Sequence, residues 1–147
     1  MQKIITLGFV AGFLSVLVFH QGTAFLLNIH GNGVPALVEW IGRTGPAYGM
    51  NPVQPLGVPQ VINLAFWGGL WGIALAALLK TVPLPDLFTG FVVGLVATLV
   101  AFTLVAQMKG LPMWAGGNRQ TLLRAGLLNG AWGWGAAFLL RPLALRG

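Results

Sequence analysis

Four polar side chains that could carry chemistry lie within long apolar stretches: His20, Gln21, Asn63 and Asn129. An imidazole can transfer a proton or bind a ligand, and carboxamides can hydrogen-bond to a head group or a carbonyl. Amides buried in this way also hold helices together. We therefore consider two interpretations. The four residues are structural hydrogen-bonding contacts, or they line one polar cavity or a quinone or lipid head-group pocket.

The chemistry that the sequence lacks is also informative. Its two carboxylates, Glu39 and Asp86, lie outside the apolar stretches, so a carboxylate proton relay has no residue to use. There is no cysteine, and His20 and His30 are too far apart on one segment to bind a metal together. Phosphate-binding and serine hydrolase motifs are absent. We predict no catalytic residue, no metal and no cofactor, and a protein that is not an enzyme.

The composition indicates a membrane as the main solvent. Of the 147 residues, 56% are hydrophobic and 7% are charged, with a mean hydropathy of +0.83. Soluble domains contain about 25% charged residues. The net charge of +6 comes from lysines and arginines near the ends of apolar runs, where they face lipid phosphates. The predicted partners are membrane lipids and not nucleic acid.

Four apolar stretches have the length of about 20 residues that crosses a bilayer. They cover residues 4–27, 61–79, 87–108 and 122–140. Backbone groups in lipid must bond within their own segment, so each stretch is predicted to be a helix. We interpret the first as a retained span rather than a cleaved signal. The predicted fold is a single all-α membrane domain over residues 1–147, a four-helix transmembrane bundle with one long loop at 28–58.

The connections between these stretches differ in character. In the long loop, Pro35 and Gly42 bracket a sequence whose spacing predicts a short interfacial helix. Residues 50–59 are rich in proline, which predicts an extended stretch rather than a folded one. The connection that ends at Asp86 is short, so the second and third spans are predicted to be antiparallel neighbours.

Small residues recur every four positions in each predicted span, as Gly-x-x-x-Gly pairs. The predicted packing glycines are Gly8, Gly12, Gly68, Gly72, Gly90, Gly94, Gly126 and Gly130. Such stripes let helices approach closely in lipid, so we expect them to pack the bundle, with any remaining stripe available for a homo-oligomer or a larger membrane complex. Trp132 and Trp134 are predicted to face lipid or a partner, and Arg124 to extend to the membrane interface.

Two parts of the sequence resemble each other, and we call this internal similarity the internal echo. Gly8–Gly12 followed by Leu17 matches Gly90–Gly94 followed by Leu99 in register, and residues 69–80 match 130–141 more loosely. One interpretation is a tandem duplication of a two-helix unit, whose copies would be related by an axis along the membrane normal. The alternative is convergence between apolar helices of similar composition.

The orientation follows from the distribution of positive charge. With the N-terminus inside, the inner side holds Lys3, Lys80, Arg141 and Arg146, and the outer side holds Arg43, Lys109, Arg119 and Arg124. The two counts are nearly equal. We predict that both termini are cytoplasmic.

Several short motifs carry a resemblance. They are Phe19-His20-Gln21, Gly57-Val58-Pro59-Gln60, the run from Ala65 to Gly72, and Lys109-Gly110-Leu111-Pro112. Together they resemble a family of small bacterial inner-membrane proteins without a characterised activity. The resemblance extends over most of the chain and implies a bacterial inner membrane and four spans, but no substrate or site residue.

Two functions are consistent with these features. The first is a non-catalytic accessory, assembly or scaffold subunit of a membrane complex. The second is a small channel or carrier whose polar path includes His20, Gln21, Asn63 and Asn129. The first predicts a stable partner or homo-oligomer, and the second a continuous water-accessible cavity.

Overall fold

The computed structural model of the chain describes residues 1–141. Residues 142–147 lie outside the described part, and with them Arg146, which was assigned to the inner side. The described part is mostly helical, so the protein is all-α, as predicted.

Four long helical segments follow one another along the chain. The helices are α1 (Gln2–Ser15), α2 (Gln21–Ile29), α3 (Pro35–Ile41), α4 (Gln60–Thr81), α5 (Asp86–Val100), α6 (Ala106–Met108) and α7 (Arg119–Leu140). π-Helical turns at Val16–His20 and Ala101–Val105 join α1 to α2 and α5 to α6, so each of these pairs runs as one continuous helix. A short 3₁₀ turn follows α2, and a turn whose residues Trp114, Ala115 and Gly116 have φ values of 54°, 53° and 63° precedes α7.

Three of these segments are long and apolar enough to cross a membrane. They are Gln2–Gly33, Gln60–Thr81 and Asp86–Met108. The fourth, α7, has 22 residues, as many as α4, but carries Arg119 and Arg124 in its first two turns. Length and composition thus support a membrane protein.

Local signals explain where several helices begin and end. α3 begins at Pro35 and is followed by Gly42 with a φ of 70°, a conformation that favours glycine, which confirms the predicted short helix. α5 begins at Asp86, where a carboxylate complements the helix dipole. α7 is capped by Asn118, whose side-chain oxygen accepts the Thr121 amide at 3.0 Å.

The first helix pair consists of α1 and α4, packed through glycines. A Cβ placed on Gly8 would lie 2.7 Å from the carbonyl oxygen of Gly72, and a Cβ on Gly12 would overlap the carbonyl of Gly68. Because the residue order reverses between the two helices, they are antiparallel. Backbones come this close only where side chains are absent.

The second helix pair consists of α5 and α7, and it is built in the same way. A Cβ on Gly90 would overlap the carbonyl of Gly133, and one on Gly94 would overlap the carbonyl of Asn129. Gly126, predicted to belong to this stripe, meets only Leu95, at 3.7 Å, an ordinary van der Waals distance. The close approach of α7 therefore begins near Asn129 and continues past Gly133.

The long loop folds over one end of the bundle, which we call the loop side. β1 (Pro52–Val53) and β2 (Val58–Pro59) pair antiparallel, so the prediction that residues 50–59 are unfolded was wrong. Asn32 holds the loop by donating to the Thr44 carbonyl and accepting the Thr44 amide, both at 2.9 Å. The hairpin is closed by backbone bonds, from the Gly57 amide to the Val53 carbonyl at 2.9 Å and from the Gln60 amide to the Asn51 carbonyl at 3.0 Å, which proline content alone does not predict.

A further prediction about α7 was wrong. Trp132 does not face lipid: it is 3% exposed and donates from Nε1 to the carbonyl of Gly12 at 2.9 Å. Arg124 of the same helix is held by the long loop. Its Nη1 donates to the carbonyl of Ile41 at 2.7 Å, at the C-terminus of α3, where a cation complements the helix dipole.

Candidate functional site

A groove of about 550 Å³ lies between α4 and α5. Asn63, Trp67 and Trp71 line it from α4, and Ala97, Ala101 and Val105 line it from α5 and its π turn. Met108 and Lys109 border its loop-side end, while Val16, His20, Asn129 and Trp132 lie behind it on the other helices. The two helices predicted to be close neighbours are therefore separated along this face.

Helical geometry brings the α4 residues together. Asn63, Trp67 and Trp71 are four positions apart and so share one face. On the opposite wall, the π turn at Ala101–Val105 inserts an extra residue into the helix, and such turns occur frequently at functional sites. The small side chain of Ala101 leaves the space between the walls open.

Behind the groove, polar side chains form a hydrogen-bonded chain across the bundle. Gln21 Nε2 lies 3.0 Å from His20 Nδ1, and Asn129 is a second hydrogen-bonding partner of the His20 side chain. Asn129 Nδ2 donates to Thr98 Oγ1 at 2.9 Å, and Thr98 Oγ1 donates to the Gly94 carbonyl at 3.0 Å. This chain links α1–α2, α7 and α5.

The chain continues into the loop through Tyr48. Its amide donates to Gln21 Oε1 and its hydroxyl donates to the Leu17 carbonyl, both at 2.7 Å. Leu17 lies in the π turn Val16–His20, where the helical bonding pattern is irregular. The loop is therefore anchored at the level of His20.

The four predicted site residues do not line a single cavity. His20, Asn63 and Asn129 line the groove, whereas Gln21 lines a smaller cavity of about 220 Å³ under the loop. The side chain of Leu64 borders both spaces. His20 and Gln21 are bonded to each other at this boundary.

We call the contact between a helix of the first pair and a helix of the second pair a seam. Side chains fill the α1–α7 seam but not the comparable α4–α5 seam, and the groove lies in the latter. In the α1–α7 seam, Ser15 Oγ donates to the Trp132 carbonyl at 2.6 Å, and the Phe19 ring occupies the space over Gly135. In the internal echo, Ser15 corresponds to Ala97 and Phe19 to Ala101. The α4–α5 seam therefore lacks both the hydroxyl and the ring.

The groove presents donors without matching acceptors. Within residues 1–141, the side chains of Asn63, Trp67, Trp71 and Lys109 have no recorded hydrogen-bond or ion-pair partner. No carboxylate lines the groove, and the described residues contain no group of three or more potential metal ligands. Such an arrangement can bind an acceptor-rich or anionic group.

Sequence reasoning missed three contributors to this site: Thr98, Ala101 and Lys109. Thr98 lies in no motif, and the motif that begins with Lys109 carries the resemblance but indicates no binding role. Ala101 had a detectable signal, because aligning the two halves of the echo places it opposite Phe19 and so indicates a missing ring.

Comparison with known proteins adds no family to this description. No protein-family model, no curated protein and no solved structure matches the chain.

Proposed function

We propose that this protein is a small non-catalytic membrane component, an accessory or scaffold subunit that holds another membrane molecule in the groove between α4 and α5. The observation that carries the proposal is the open seam itself. The glycine stripes are occupied by contacts within the two helix pairs, whereas the groove retains apolar walls and spare donors. Concave, mostly apolar sites with a few polar groups are typical binding sites.

The proposal includes four membrane spans, with α7 as the fourth. Its arginines lie in the first two turns, and Arg124 is bonded to loop carbonyls at 2.7 and 3.2 Å. The following 16 residues, from Ala125 to Leu140, contain no charged side chain. A helix of this kind can cross a bilayer when its charged end stays at the interface.

We also propose that the two helix pairs arose by duplication. The Phe9 ring covers Gly69 in the first pair as the Phe91 ring covers Gly130 in the second. These contacts lie at matching positions of the internal echo, which supports duplication over convergence.

The channel alternative receives less support from the geometry. A conducting path needs polar groups that face water, but His20, Gln21 and Asn129 are bonded to one another or to neighbouring side chains. Trp132 is buried between α1 and α7 and bonded to Gly12. The groove opens sideways between two helices rather than along the bundle axis.

Native mass spectrometry after gentle detergent extraction tests the proposed function. The wild type should retain a bound molecule, protein or lipid, at a defined ratio. Ala101→Phe fills the groove and should remove it. Leu104→Phe places the same ring at a position that is 58% exposed and outside the groove, and should leave binding intact. Equal retention by both variants would contradict the proposal.

We propose a bacterial inner membrane, as the resemblance implies, with cytoplasmic termini, as predicted from the distribution of positive charge. Leu56 is 83% exposed between β1 and β2, and the chain has no cysteine. Leu56→Cys should therefore react with an impermeant maleimide on spheroplasts, while Thr81→Cys at the other end should react only after lysis. The reverse pattern would invert the orientation.

A further inference from the structure

We infer that the groove between α4 and α5 holds one acyl chain of an anionic phospholipid from the leaflet on the loop side. This inference rests on the proposed binding function and names the class of molecule bound. Three features of the groove support it: its depth in the membrane, its charge, and its size.

The depth of the groove matches a single leaflet. Asn63 lies in the first turn of α4, and eight residues of helix from Asn63 to Trp71 rise about 12 Å. On the other wall, Ala97 and Lys109 are separated by about 18 Å at the same rise. Half of a hydrocarbon core about 30 Å thick is close to both lengths. The groove thus extends from head-group level to the middle of the bilayer.

The polar groups are placed as an anionic phospholipid requires. Lys109 follows α6 at the loop-side end of the groove, and Asn63 lies at the corresponding end of α4. Both are donors without a recorded partner in the described part of the chain. A phosphate supplies acceptors and a negative charge at this level.

The walls and the volume favour a chain over a helix. Val100, Ala101 and Val105 offer aliphatic surface opposite the indoles of Trp67 and Trp71. A partner helix is about 10 Å wide with its side chains, so most of its width would lie outside a groove of about 550 Å³. A flexible acyl chain fills such a space without displacing α4 from α5.

The test uses delipidated full-length protein and two phospholipids with identical chains, phosphatidylglycerol and phosphatidylcholine. Native mass spectrometry of an equimolar mixture measures how much of each is retained. A lysine near the membrane surface favours an anionic lipid by about fivefold, so the wild type should prefer phosphatidylglycerol by that factor. Lys109→Gln should abolish the preference. Lys80→Gln, which removes a cation at the other end of α4, should preserve it.

The filling variants separate the two proposals. Ala101→Phe and Ala97→Leu fill the groove from successive turns. Each variant should lose the bound lipid, whichever head group it carries. If one variant does not fold, the other is sufficient for the test. If the filling variants lose the lipid but the wild type retains both phospholipids equally, the anionic assignment is overturned and the binding function stands. Lipid retained at the wild-type level in a folded filling variant would overturn both. If the wild type retains a protein partner instead of lipid, and the filling variants lose that partner, only the lipid assignment is overturned.

Discussion

The α1–α7 seam and the α4–α5 seam occupy comparable places between the two helix pairs, yet one is closed and the other is open. The closed seam has two bonds at Trp132, from Ser15 and to Gly12, and the Phe19 ring in edge-to-face contact with Trp134 and Phe138. The open seam has Trp71 and two alanines, and a groove of about 550 Å³. A few side chains, not a difference in the helices themselves, decide which seam can receive another molecule.

This difference shows how a repeated scaffold can acquire a site. Lipid provides no hydrophobic drive between helices, so a seam closes only where shape and hydrogen bonds favour it. When the ring and the hydroxyl are absent, the helix pairs remain folded by their own glycine contacts. The seam then becomes available for binding without loss of the bundle.

The largest effect is expected from opening the closed seam. Phe19 contacts Trp134 and Phe138 with ring centroids 5.8 and 6.3 Å apart. Phe19→Ala should lower the free energy of unfolding by about 3 kcal/mol, the lower end for a buried ring, since Phe19 is only partly buried. Reversible unfolding in mixed detergent micelles measures this. Phe25→Ala, at a position 46% exposed, is the control, and equal losses would show that the seam does not depend on the ring.

The next effect tests whether the two helix pairs are alike. Gly72 and Gly133 both lie against facing backbone, where a Cβ would overlap a carbonyl. Gly72→Ala and Gly133→Ala should each destabilise by about 1–3 kcal/mol, as overpacked sites do. Gly126→Ala, with its nearest neighbour at 3.7 Å, should change stability by less. Unequal costs at the two matching positions would weaken the case for duplication.

A smaller effect on stability distinguishes Trp132 in the closed seam from Trp71 in the open seam. Trp132 Nε1 donates to the Gly12 carbonyl at 2.9 Å, whereas Trp71 has no recorded bond in residues 1–141. Trp132→Phe should cost about 1 kcal/mol, the net value of one hydrogen bond, while Trp71→Phe should cost close to nothing. The same unfolding assay applies. A larger loss at Trp71 would mean that its indole supports the fold rather than faces a free groove.

Sequence patterns predicted the helical fold well, because span length and glycine spacing are properties of single segments. Pro35 and Gly42 likewise marked a helix that the structure contains. Contacts between distant segments were not predictable in this way. Trp132 is buried because a bare carbonyl of Gly12 faces it, and Arg124 turns inward because α3 ends beside it. The groove depends on Ala101, whose role emerges only from comparison with Phe19.

The smallest effect on stability is expected where the first helix pair, α1 and α4, differs from the second, α5 and α7. In the first pair Val16 lies against Gly68, and neither side chain can form a hydrogen bond. At the matching positions of the second pair, Asn129 Nδ2 donates to Thr98 Oγ1 at 2.9 Å. Bonds between membrane helices contribute about 0.6 kcal/mol on average. A double-mutant cycle with Asn129→Ala and Thr98→Val should therefore give a coupling energy near this value.

Thr103 supplies the matched control for this cycle, since its hydroxyl bonds within its own helix, to the Leu99 carbonyl at 2.6 Å. A cycle that combines Asn129→Ala with Thr103→Val should give no coupling, because the two side chains share no bond. If the Thr98 cycle also gave none, the polar chain behind the groove would not stabilise the second pair.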